Sequence, residues 1–432
     1  MYKKIIKNFF IYSGGAMLVK ALSALSIPFT LAFLSTTEYG LLSIVNNFTN
    51  ILSILIGFGL RQVFWIEYFH CEKNQIKKMI NDLIFLYLII DIPIFFFLLA
   101  NIKIINKYIF FNFADPSLII CTLAIVFFSF FNEFFYQALK YQQSARLYTI
   151  LQITNSVISI LLSFFLIVYF KLSVLGVVVA NLIGILPIIF IGFYLYLKKN
   201  CHNKFSFPET NQMKNYLKTG LTFIPSMIFA WLMSSSDRFI LAKLSSLSDV
   251  GIYSLADSFG QLYYLIILQP LSGSYLPDLY EQFANNKNNI LDVEKYNKKI
   301  MFYSMLIMFV LITGGYGIVK FFLKYILPPK YCSVTDYIWF ILVGYIFLMG
   351  TYFTTAIIQF KKHKLFLAIS FCLPAIINVI LNFILIPYFK IYGCIISTLI
   401  SYVAYFLITF FYNLYILKNY ESMHFKKADI SF

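Results

Sequence analysis

Residues 31–51 read LAFLSTTEYGLLSIVNNFTNI, and residues 241–262 read LAKLSSLSDVGIYSLADSFGQL, the same pattern with one extra residue in the second copy. A second echo lies further along: Tyr169-Phe170-Lys171 recurs as Tyr388-Phe389-Lys390, each time at the end of an apolar run and before a Gly-containing one. Recurrence over such a distance marks a duplicated architecture. Composition says what is duplicated. Of 432 residues, 60% are hydrophobic and only 12% charged, with mean hydropathy +0.80. Soluble domains hold roughly 45–50% apolar and 25% charged residues, so a soluble enzyme is excluded. At about 20 apolar residues per crossing, the chain has room for about twelve spans and for no large domain outside the membrane.

Apolar runs bounded by charge, Pro or Gly predict helices at 9–34, 39–66, 79–100, 117–139, 147–170 and 174–197, then at 219–243, 247–275, 298–322, 334–359, 364–387 and 392–417. The expected organisation is a six-helix lobe over 1–197, a cytoplasmic linker over 198–218, a second six-helix lobe over 219–417 and a cytoplasmic tail over 418–432. The net charge of +16 would suggest nucleic acid in a soluble protein; here it reports topology. The N-terminal segment, the tail and the loops after even-numbered spans, taken with the span ends that border them, carry 23 of the 34 Lys and Arg residues, and the loops and bordering span ends after odd-numbered spans carry 8. The positive-inside rule therefore places both termini in the cytoplasm. Six is even, so the two copies enter the membrane in the same sense and the repeat is parallel, an arrangement suited to alternating access.

The repeat carries polar chemistry. Beyond the extra residue, Ser43, Asn46, Asn47 and Asn50 align with Ser254, Asp257, Ser258 and Gln261. Spacings of three, four and seven place each set on one helical face. Such a stripe reads either as the lining of a hydrophilic cavity or as hydrogen-bonding glue between membrane helices; the ionisable Asp257 favours the lining.

Charges within spans are costly, about 2.5–3.5 kcal/mol each on insertion scales, and usually face a bundle interior or a watery path. Lys20, Asp91 and Asp257 are the foremost candidates, against a reading in which Lys20 and a carboxylate form a structural ion pair. Glu133 sits near the inner end of its helix. Arg61 ends the second and can snorkel. Asp237 and Arg238 lie near the outer end of the seventh, where a structural ion pair competes with substrate contact. Lys140 and Arg146 read as topology signals. Pro28, Pro93, Pro225 and Pro374 are candidate kinks, although proline is common in membrane helices for plainer reasons.

Cys71, Cys121, Cys201, Cys332, Cys372 and Cys394 show no CxxC spacing, and His70, His202, His363 and His424 form no ligand-like pair; no metal or disulfide framework is expected. The basic N-terminus followed by a long apolar run reads as a retained first helix, not a signal peptide.

KNFFIYSGGAMLVKALSALSIPFTLAFLSTTEYGLLS near the N-terminus, DRFILAKL with DVGIYSLADSF in the seventh and eighth helices, and NVILNFILIPYFKIYG in the last two resemble the polysaccharide (O-antigen) repeat-unit flippases. These belong to the MATE-like multidrug/oligosaccharidyl-lipid/polysaccharide exporter superfamily. The resemblance spans nearly the whole chain, with degenerate motifs and no catalytic signature. It implies a non-enzymatic transporter of the bacterial inner membrane that moves an undecaprenyl-pyrophosphate-linked oligosaccharide, coupled to H⁺ or Na⁺, with no other cofactor. It further implies a polysaccharide polymerase and a chain-length regulator as partners, a monomer being sufficient. On this resemblance Lys20, Arg61 and Arg238 would meet the pyrophosphate, Asn46, Asn47, Asn50 and Gln261 the cargo, and Asp91, Glu133 and Asp257 the coupling ion. Aromatic side chains such as Tyr263 and Tyr264 would stack on sugar, unless they are simply lipid-facing. A drug or cation efflux antiporter is the alternative, which would favour carboxylates over cations. A membrane polymerase would need a long outer loop that the span limits do not leave, and a peptidoglycan-precursor flippase usually has two further helices.

Overall fold

The computed structural model of the chain describes residues 2–68, 73–142, 144–200, 209–285 and 290–428. Among them the fold is all helical, without strands: α1 Tyr2–Phe33, α2 Thr36–Ile56, α3 Leu60–Tyr68, α4 Lys73–Ala100, α5 Ile102–Tyr108, α6 Pro116–Tyr141, α7 Ala145–Val168, α8 Ser173–Asn200, α9 Thr210–Leu221, α10 Ile224–Leu244, α11 Leu247–Asn285, α12 Ile290–Ile326, α13 Val334–Phe360, α14 Lys364–Phe389 and α15 Ile391–Ala428. Ten stretches of the described residues are long and apolar enough to cross a membrane, and α1 adds a shorter apolar piece, Met17–Phe33. The chain is a multi-pass membrane protein. It divides into two compact units, Met1–Ile228 and Phe229–Phe432.

The repeat is visible in how the helices are punctuated. Ser35 caps α2 with a reciprocal capping box, its Oγ accepting from Glu38 N (3.2 Å) while Ser35 N donates to Glu38 Oε2 (2.7 Å). At the equivalent place Ser246 Oγ accepts from Asp249 N (3.1 Å) ahead of α11. The extra residue of the second copy thus lies in the turn, and Thr36 and Leu247 open their helices in register. The Tyr-Phe-Lys echo also has a structural meaning. Lys171 and Lys390 both take left-handed backbone angles (φ 54° and 48°), each reversing the chain into a tightly packed helical hairpin.

The predicted helix over 39–66 is two helices. Gly57-Phe58-Gly59 breaks it, with φ 45° at Phe58 and 66° at Gly59, so Arg61 opens α3 instead of ending a span. Gly59 also meets the last turn of α9 at backbone distance. A Cβ on Gly59 would lie 2.2 Å from Gly220 O, and one on Gly220 would lie 2.2 Å from Phe58 O. Neither position accepts a side chain without displacing backbone.

Further departures have local causes. The linker predicted over 198–218 contains α9, anchored by buried Tyr216 and Gly220; residues 201–208 lie outside the described set. Pro225 falls in the first turn of α10, where its missing N–H costs nothing, while Pro28, Pro93 and Pro374 sit inside helices. The helices α11 and α12 outrun the predicted 247–275 and 298–322 because Leu279, Phe283, Ile290 and Val293 bury against Ile357, Ile358 and Ile416, giving polar sequence an apolar seam to follow.

Each unit has its own core. In the first, Tyr87 of α4 stacks on Phe130 of α6 at 3.7 Å, flanked by Phe131 and Phe134. In the second, α13 is the buried axis, with Met349, Phe353, Ile357 and Ile358 fully enclosed, as a helix apolar on every side requires.

Candidate transport site

In the first unit the α2 stripe is open at two of its four positions: Asn46 and Asn50 are exposed, while Ser43 and Asn47 are half-buried. Asn47 Nδ2 donates to Ser43 O within its own helix (2.8 Å). Ser53 Oγ of α2 and Ser129 Oγ of α6 bridge the two helices at 3.0 Å. Lys20 is half-buried on α1 and makes no ion pair among the described residues. Arg61 does make one: its guanidinium pairs with Glu133 of α6, with the arginine side chain 13% exposed and the glutamate 51%. Asp91 is buried on α4, with the Tyr87 hydroxyl in hydrogen-bond reach of it and of Phe127 O (3.0 Å), and its Oδ2 has no partner.

The second unit holds a denser constellation. Arg238 of α10 is 5% exposed and spans two carboxylates that are as deeply buried, Asp237 (2%) and Asp257 (6%). Its Nη1 donates to Asp237 Oδ1 and to Ser234 O, both at 2.7 Å, and its Nη2 pairs with Asp257 Oδ2. Tyr253 OH donates to Asp237 Oδ2, Tyr345 OH to Asp257 Oδ1 (2.8 Å) and Gln261 Nε2 to Asp257 Oδ2 (2.9 Å). The guanidinium also lies over the Tyr253 ring, 5.1 Å from its centroid. Two carboxylates thus share one guanidinium, and the hydroxyls and amide satisfy remaining lone pairs. On α14 and α15 a buried amide ladder runs from Asn382 Nδ2 to Asn378 Oδ1 (2.9 Å) and from Asn378 Nδ2 to Thr398 Oγ1 (3.4 Å).

The predicted residues therefore gather differently from their sequence assignment. Arg61, expected at the cargo, and Glu133, expected at the ion, are partners. So are Arg238 and Asp257, assigned to the same two roles. Tyr264 packs on Tyr345 with ring centroids 5.4 Å apart; the side chain of Tyr263 lies outside the described set. Two buried carboxylates were missed. Asp82 of α4 is fully buried with neither oxygen hydrogen-bonded, and Glu294 of α12 is fully buried among amides. Asp82 lay inside a predicted span as an unweighed acid. Glu294 fell in what reads as a polar loop, so nothing local marked it.

The fold places the protein in a known structural class. A structure described as "Lipid II flippase MurJ, inward closed conformation" matches 98% of this chain and 93% of its own with TM-score 0.75 at 16% identity. A MATE family multidrug resistance transporter of the MOP superfamily, in an inward-facing conformation, matches 93% and 95% with TM-score 0.71 at 13% identity. The fold is the one that these two structures share. The profile of the family described as "Polysaccharide biosynthesis protein" matches residues 5–283, and the chain belongs to that family. A relative from Haemophilus influenzae, "Lsg locus putative protein 1", is 24% identical over 306 residues, 70% of this chain and 72% of the relative.

Proposed function

We propose that the protein is a flippase that carries an undecaprenyl-pyrophosphate-linked oligosaccharide across the bacterial inner membrane for surface polysaccharide assembly, O-antigen or capsule, by alternating access. The observation that carries this reading is the polysaccharide biosynthesis family match over residues 5–283. A neighbour in fold that flips lipid II supports it. A pyrophosphate entering a low-dielectric slab needs cations and hydrogen-bond donors to replace its water. Lys20 has no competing ion pair among the described residues. Arg61 has an exchangeable one, because Glu133 is half exposed and its release leaves the guanidinium for the cargo anion. The open amides of Asn46 and Asn50 suit sugar hydroxyls. Arg238, already held by two carboxylates, suits cargo less well.

For coupling to H⁺ or Na⁺, the supporting observation is the pair of buried carboxylates, Asp237 and Asp257, that share one guanidinium; Asp91, with an unpartnered oxygen, is the candidate acid of the first unit. Glycan display in a strain lacking the gene tests the reading. Wild type restores display, while Lys20→Ala, Arg61→Ala and Asp91→Ala reach the membrane normally and restore little. Unchanged display in the deletion strain, together with a changed drug susceptibility, would instead favour the efflux antiporter that the multidrug neighbours represent.

A further inference from the structure

Glu294 lies early in α12 with no exposed surface and no salt bridge among the described residues. Its carboxylate meets only neutral donors. Asn413 Nδ2 of α15 reaches Oε1 at 2.7 Å, and Asn297 Nδ2 lies 3.1 Å from both oxygens. The same two amides also touch backbone carbonyls of α13: Asn297 reaches Phe353 O at 3.2 Å and Asn413 reaches Thr354 O at 3.3 Å. Oxygens from two helices thus converge on one buried spot. Tyr275 of α11 fixes Asn297 by donating to its Oδ1 (3.0 Å). The charged and titratable groups around the spot are Lys298, one turn along α12 with its ammonium over the Phe410 ring at 5.9 Å, Tyr275, and beyond Tyr275 the side chains of Tyr296 and Asp278.

The amide of Asn413 is 1% exposed, and its Oδ1 has no hydrogen-bond partner. Turned by half a rotation, that oxygen would join Glu294 Oε1 and Thr354 O, a cluster of acceptors that repel one another unless a cation sits among them. Carboxylate, amide and backbone oxygens are the ligand set that small hard cations take in place of water. We propose that Glu294, Asn413 and the Thr354 carbonyl form a monovalent cation site, for Na⁺ or for a proton on Glu294, with the Asn413 amide turning as the cation enters. Its use as a coupling site rests on the transport reading above; the binding does not.

The test is thermal melting of the purified full-length protein in detergent, with NaCl exchanged for N-methylglucamine chloride at equal ionic strength, and separately with pH varied at constant salt. Ligands that bind the folded state raise its melting point. A sodium site predicts a rise of several degrees with NaCl that Glu294→Gln abolishes, Asn413→Leu reduces and Glu209→Gln, at an exposed residue outside the site, retains. A proton site predicts no sodium response but a midpoint that falls as pH rises, with Glu294→Gln flattening the slope. If wild type and Glu294→Gln respond identically to both variables, Glu294 is only an interhelical anchor and the proposal is overturned. If Glu294→Gln does not accumulate, Asn413→Leu and Glu294→Asp carry the same comparison. Glycan display has no part in this readout, so its outcome is independent of the cargo assignment.

Discussion

The helices α2 and α11 begin at equivalent residues, behind equivalent serine caps, yet their polar stripes have opposite fates. Asn46 is exposed; its counterpart Asp257 is 6% exposed and bound to Arg238. Carrying the alignment back before the extra residue, LAFL at 31–34 against LAKL at 241–244 sets Asp237 and Arg238 opposite Ile27 and Pro28. The first copy lacks the arginine, and its stripe carries neutral amides where the second carries an acid. A duplicated scaffold has kept its capping and turns in both halves while dividing the chemistry: open neutral amides in one, an enclosed charged knot in the other.

The largest effect should come from breaking that knot. Arg238→Leu leaves Asp237 and Asp257 buried without a cation and should cost about 3–5 kcal/mol, the usual result of stripping one partner from a buried ion pair; thermal melting or membrane abundance reads it. Asp257→Asn, which restores charge balance, should cost far less, and equal losses would show that the hydrogen bonds, not the charges, hold the site. Next is Gly59→Ala, which forces a left-handed alanine against Gly220 O and should destabilise by about 1–3 kcal/mol and lower glycan display with it. Asn46→Leu should leave stability within about 0.5 kcal/mol, as exposed sites do, yet reduce display; a clear loss of stability would make the first stripe interhelical glue after all.

The smallest effect belongs to the exposed pair in which Lys78 Nζ donates to Glu209 Oε1 at 2.9 Å. Lys78 holds the Glu209 carboxyl below its ordinary value of 4.5. Any stabilisation is thus complete above that value and disappears as pH falls through the depressed one. Because both groups are exposed and screened, Glu209→Gln should leave the neutral-pH melting point unchanged, in contrast to Arg238→Leu.

Much of this was legible in the residues. The repeat was readable because capping and turn chemistry tolerate few residue types, so Ser35 with Glu38 and Lys171 with Lys390 betrayed their counterparts. The break at Gly57-Phe58-Gly59 was written in the sequence, but apolar residues on both sides masked it. The partners of the in-span charges were not legible. Arg238 and Asp257 lie nineteen residues apart and Arg61 and Glu133 far more, and only packing decides which helix faces meet. Glu294 was invisible for the opposite reason: hydropathy counted its surroundings as loop, whereas Leu279 and Phe283 draw that polar stretch against α13 and α15.

That same extension has a practical consequence. At about 1.5 Å per residue, the 39 residues of α11 and 37 of α12 far exceed a hydrocarbon core about 30 Å thick. Their adjoining ends form a stiff helical handle, with Asp278, Glu281 and Lys295 on its exposed surface. A membrane protein built mostly of buried spans gives single-particle images little to align on; an antibody fragment raised against this handle would supply a fiducial while leaving the charged knot, the open stripe and the buried glutamate untouched.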